Sequence, residues 1–97
     1  MDEIVWLEAQ SQVTMVEVAR CSGLPETTVR ELVEFGALTA QDDMVSGACI
    51  GRLRVAGRLA SDFELDTAAM GLVLRYLERI EALEAEVQKL KAVGGRR

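Results

Sequence analysis

Apolar and polar positions between residues 14 and 38 follow the spacing of two short helices joined by a tight turn. Thr14 with Glu17 three residues on forms a capping box, which satisfies two otherwise orphaned helix-start N–H groups. Val16 and Ala19 supply the apolar stripe of the helix that follows. Ser22-Gly23-Leu24-Pro25 then breaks the chain, because glycine accepts a left-handed conformation and proline suits the start of a new helix. In the second helix Val29, Leu32, Val33 and Phe35 are the inward candidates, and Gly36 closes it. This is the spacing of a helix-turn-helix, a unit whose second helix commonly reads DNA.

Outside this unit the pattern is coarser. Ile4-Val5-Trp6-Leu7 is β-branched and aromatic and predicts a short strand. Met44-Val45, after the acidic turn Gln41-Asp42-Asp43, is expected to return beside it as a minimal wing. Ser46 reads as the N-cap of a third helix, with Cys49, Ile50, Leu53, Val55, Ala56 and Leu59 available for packing. Gly51 and Gly57 weaken that helix, each by about 1 kcal/mol relative to alanine. Phe63 and Leu65 alternate with acids and are expected to pin the next connection to the core. Asp66 then caps a long final helix over residues 67–92.

That last helix carries a seam. Val73, Ile80 and Val87 recur every seven residues, and Tyr76, Leu83 and Leu90 follow each by three, an a/d heptad pattern. Arg79 and Glu86 flank one side, Glu84 and Lys91 the other. Little of the chain is left to cover this stripe, so it predicts a homodimer interface, with parallel and antiparallel pairing both open. The competing arrangement folds the helix back on its own domain through Met70, Leu72, Leu74 and Leu77. The two are compatible, because the first half of the helix is apolar almost all round.

Ninety-seven residues bound the chain to one small domain with a protruding element, and its 49% hydrophobic content argues against disorder throughout. We therefore divide it into a domain over residues 1–65, a dimerisation helix over 66–93 and a disordered tail over 94–97. No stretch has the length of a membrane span and no cleavable secretion signal is evident, so the expectation is a cytoplasmic protein away from membranes. Cys21 and Cys49 lie in apolar helical contexts in a chain without histidine, and read as buried thiols ahead of a disulfide or metal pair. No cofactor or metal site is expected. General-base histidine, phosphate-cradling glycine loop and nucleophile–base pair are all missing, which argues against an enzyme.

Charge changes the reading of the helix-turn-helix. The net charge is −5, and residues 13–45 alone carry six acids against Arg20 and Arg30. Residues 46–61 hold Arg52, Arg54 and Arg58 with no acid. Phosphate attraction supplies most nonspecific DNA affinity, and the acidic segment opposes it. Glu26, Glu31 and Glu34 lie on the expected outward side of the second helix, as a partner-binding face or as ordinary solvated charges. Arg30 is expected to pair within the helix with Glu26 or Glu34.

The whole layout is mainly α, a winged helix-turn-helix with a minimal β-wing and a long C-terminal coiled-coil helix. It resembles the MerR-like proteins, notably in Met15-Val16-Glu17-Val18-Ala19, Ser22-Gly23-Leu24 and Gly36-Ala37-Leu38. It departs from them at Glu31-Leu32-Val33-Glu34, where that family carries an Arg-Tyr-Tyr-Glu-like run, and in its acidic wing. The cysteine-bearing effector loop of the metal-responsive members is absent. Within that group, Leu53-Arg54-Val55-Ala56-Gly57-Arg58-Leu59, Asp62-Phe63-Glu64-Leu65 and Gly71-Leu72-Val73-Leu74 resemble the chaperone-modulator CbpM family. So does the closing Leu77-Glu78-Arg79-Ile80-Glu81-Ala82-Leu83-Glu84.

This resemblance implies a protein that binds and restrains the J-domain of a DnaJ-like co-chaperone of the CbpA type. Such J-domains present a basic helix to Hsp70, so Glu26, Arg30, Glu31 and Glu34 become the candidate partner-binding residues. The competing class is a MerR-type transcription factor. It would use the second helix together with Arg52, Arg54 and Arg58 as phosphate contacts, and its charge disfavours it.

Overall fold

The computed structural model describes residues 3–94, and every element follows from a local signal or from burial. The order is α1 (Glu3–Glu8), β1 (Val13–Thr14), α2 (Met15–Ser22), α3 (Glu26–Glu34), β2 (Ala40–Gln41), β3 (Met44–Val45), α4 (Cys49–Phe63) and α5 (Thr67–Gly94). The Thr14 hydroxyl accepts from the Glu17 amide at 3.1 Å, and Glu17 accepts from the Thr14 amide at 3.1 Å, closing the capping box. Gly23 ends α2 in the left-handed region at φ 77°, its N–H bonded to the Ala19 carbonyl. Asp66 accepts from the Ala69 amide at 2.8 Å and so caps α5 as expected.

The helices enclose one core. Val18, Val29, Leu32, Ile50, Leu53 and Leu74 come from α2, α3, α4 and α5 and are fully buried together. Leu7 from α1, which packs on α4, joins it. The sheet is small, in the order β1-β3-β2 and antiparallel throughout, with Val45 of β3 opposite Val13 on one side and Ala40 on the other. Asp42 and Asp43, at φ 53° and 60°, form the two-residue turn between β2 and β3. Left-handed residues at both centres are the hairpin geometry that matches strand twist.

Several expectations change. Residues 4–7 are helical, so the wing pairs with Val13–Thr14 and not with Ile4–Leu7. Ile4 and Leu7 stand three apart and turn inward together, and that burial outweighs the weaker β-propensity of the segment. Val16 is exposed, because α2 begins directly after Thr14 and thereby turns Met15, Val18 and Ala19 to the core. Phe35 lies past the last turn of α3 and is exposed. Val55 and Phe63 are exposed too, so only the half-buried Leu65 helps seat the α4–α5 connection. The Ser46 hydroxyl accepts from the Ala48 amide at 3.2 Å in a turn before the helix, and Ala48 itself holds the N-cap position. α5 runs on to Gly94, and residues 95–97 of the expected tail lie outside the described residues.

The turn 46–48 is where the N-terminal helix docks. Gly47 donates to the Gln10 carbonyl at 3.0 Å, and a Cβ on it would fall 1.9 Å from the Leu7 carbonyl oxygen. A second tie joins Glu3 of α1 to Arg20 of α2 in an exposed ion pair that lowers the Glu3 pKa. Gly47→Ala is expected to push α1 off α4 and to cost about 1–3 kcal/mol in urea denaturation. Gly51→Ala, whose methyl group meets only the Glu8 carboxylate at ordinary contact distance, is expected to be neutral or stabilising in the same assay.

Candidate functional site

Helix α3 presents one side to the core and one to solvent. Val29 and Leu32 are fully buried and Val33 half-buried, which turns Thr27, Arg30, Glu31 and Glu34 outward. Arg30 is not an independent positive charge. Its Nε lies 3.2 Å from Glu26 one turn earlier, and its Nη1 lies 3.3 Å from Asp43 of the hairpin turn. Both carboxylates push the guanidinium pKa further above its ordinary value, Glu26 more than Asp43. Glu26 is half-buried on the flank of the helix and committed to this bridge, so Glu31 and Glu34 are the exposed, unpaired acids of the outward face among the described residues.

The hairpin extends that face. A cleft of about 340 Å³ lies between α3 and the turn, with Met15, Val33 and Ala40 on its walls and Glu34, Asp42 and Asp43 around it. The acidic turn Gln41-Asp42-Asp43 thus lies beside α3, a placement that its spacing in the sequence does not show. The Asp-Asp pair ahead of the apolar Met44-Val45 is the signal for the turn itself, since Asp tolerates the left-handed region.

The three arginines of α4 do not form one cluster. Residues 54 and 58 stand one turn apart, whereas residue 52 lies on the far side of the helix. Arg52 reaches α5 and bonds Glu81 at 2.8 Å, with its side chain only 21% exposed. Arg54 and Arg58 are exposed and make no ion pair among the described residues.

The heptad stripe of α5 faces away from the domain. Met70, Gly71 and Leu74 are buried against the core with Leu77 half-buried, while Leu72 is exposed. Nearly opposite them, Tyr76, Ile80, Leu83, Val87 and Leu90 are all exposed, and Val73 is half-buried at the start of the stripe. From Glu78 to Gly94 every residue is exposed.

This chain, a helix-turn-helix with a three-stranded wing and a projecting terminal helix, matches the family model described as MerR HTH family regulatory protein over residues 13–92. The chain belongs to the MerR helix-turn-helix family. No curated protein and no solved structure matches it significantly. Helix α3 holds the place of the DNA-reading helix in such a unit, and in this MerR-family chain that place is acidic. No helix among the described residues is long and apolar enough to cross a membrane, and no group of three metal-ligating side chains gathers there.

Both cysteines are buried and free of a disulfide. Burial raises the Cys49 thiol above its ordinary pKa, with nearby Arg52 only partly opposing the shift. The folded state therefore holds this proton at a pH where the unfolded chain, with a thiol pKa of about 8.5, has released it. Stability is expected to fall as the pH rises through that range, and Cys49→Ala to flatten the fall, measured as urea midpoints between neutral and alkaline pH. Alkylation of Cys49 at neutral pH is expected to lag well behind that of the denatured chain.

Proposed function

We propose that this chain is a non-enzymatic regulator that binds the J-domain of a DnaJ-like co-chaperone, of the CbpA type, and inhibits it. The observation that carries the reading is the sign of the outward face of α3. Where a MerR-family DNA reader needs attraction to phosphate, Glu31 and Glu34 stand exposed beside Asp42 and Asp43, and Arg30 is neutralised on both sides. Such a field repels DNA and steers a basic protein surface into place. A J-domain offers a basic helix of that kind, and covering it keeps Hsp70 off. The resemblance of residues 53–59, 62–65 and 71–84 to the CbpM family points the same way.

The regulator acts as a homodimer through α5. A helix whose residues from 78 onward are all exposed is marginal in water, and its exposed stripe needs a second helix. A DNA-binding role is the second reading, favoured by the exposed and unpaired Arg54 and Arg58.

Calorimetric titration with the isolated J-domain from the same organism tests the proposal. Saturable binding that weakens with salt is expected, and Glu31→Lys with Glu34→Lys is expected to weaken it at least about tenfold, or about 1.4 kcal/mol. Absence of binding by the folded protein would sink the co-chaperone reading and favour DNA. Ile80→Glu with Leu83→Glu is expected to leave a folded monomer in analytical ultracentrifugation, where the unsubstituted chain sediments as a dimer.

A further inference from the structure

We propose that the cleft between the 36–39 loop and α5 is a binding site for a small polyanion bearing phosphate or carboxylate groups. It has a volume of about 630 Å³, inside the range of about 300–1,000 Å³ usual for small-molecule sites. Three arginines line it, Arg75 and Arg79 from successive turns of α5 and Arg52 from α4. Arg52 is fixed in place by Glu81, while Arg75 and Arg79 make no ion pair among the described residues. Like charges one turn apart on a helix repel each other, so the pair destabilises the empty site and is relieved by an anion.

The opposite wall suits the same ligand. It is lined by residues 36–39, Val45, Ser46 and Cys49, of which the exposed Thr39 and Ser46 add neutral hydroxyl groups and no charge. Glu78 is the one carboxylate lining the cleft, and because Glu81 already takes Arg52, the unpaired cations there are Arg75 and Arg79, in a chain whose overall charge is −5. Guanidinium groups match the planar oxygen pairs of carboxylate and phosphate, which selects these anions over halides. Arg54 and Arg58 lie outside the cleft, so the basic groups make a concave point site and not a track along a nucleic-acid backbone. The site is independent of the J-domain reading, since it shares no residue with the outward face of α3.

The test is calorimetric titration of the full chain with inorganic phosphate, pyrophosphate and citrate, at ionic strength held constant with sodium chloride. One saturable site per chain is expected for pyrophosphate or citrate, and which of the two binds tighter separates phosphate from carboxylate chemistry. Arg75→Gln with Arg79→Gln is expected to weaken binding at least about tenfold, whereas Arg54→Gln with Arg58→Gln leaves it unchanged. In the unsubstituted protein, the amide resonances of residues 36–39 and 46 are expected to move during the titration. Non-saturable heats with all three anions would overturn the proposal. So would equal loss in the two double variants, or resonance shifts confined to other residues.

Discussion

The arrangement depends on the fully buried face of α4. Ile50, Leu53 and Ala56 on that helix exclude water completely, and α1, α2 and α5 are each packed against it. Truncating Leu53 would leave a cavity among three helices, at a cost of about 2–5 kcal/mol. Entry into α4 is equally constrained, because Gly47 lies against the backbone of residues 7–10 with no room for a side chain. The N-terminal helix is therefore held by backbone contact and by Leu7, while its Trp6 stays exposed. A small domain can tolerate so short a helix only because the junction is this close.

One core fixes which faces remain outside, and those faces differ in chemistry. Burial of Val29 and Leu32 obliges Glu31 and Glu34 to point outward, since a helix of this pitch cannot turn all four inward. Burial of Met70 and Leu74 does the same for the heptad stripe of α5. The MerR-family scaffold thus specifies where a surface will be and leaves its sign open. Here α3 and the hairpin turn carry the acid, and the cleft on the far side of the loop after α3 collects the arginines.

What was legible in the sequence was local. The capping box at Thr14 and Glu17, the break at Gly23 and the Asp66 cap depend on residues within one turn of each other. The α5 stripe was legible because its spacing repeats. Residues whose fate depends on distant chain were not. Ile4–Leu7 has β-like composition, and only the position of α4 makes Leu7 an inward residue of a helix. Arg52 looked equivalent to Arg54 and Arg58 until Glu81, twenty-nine residues on, took it. Asp43 reaches Arg30 because the hairpin folds back on α3, which residue spacing alone does not encode.

The charge of the outward face of α3 also depends on which ion pairs form across it. Exposed ion pairs such as Arg30 with Glu26 add little stability, about 0.2–0.5 kcal/mol within a helix. Their weight lies in the field they leave at the surface. With Arg30 tied to Glu26 and Asp43, the outward face of α3 retains the uncompensated charge of Glu31 and Glu34. Because these side chains make no contribution to the core, their sign is free to change without disturbing Val29, Leu32 or the packing behind them. A few surface substitutions can therefore invert the charge of this face on an unchanged backbone, so one scaffold can present either sign to its surroundings.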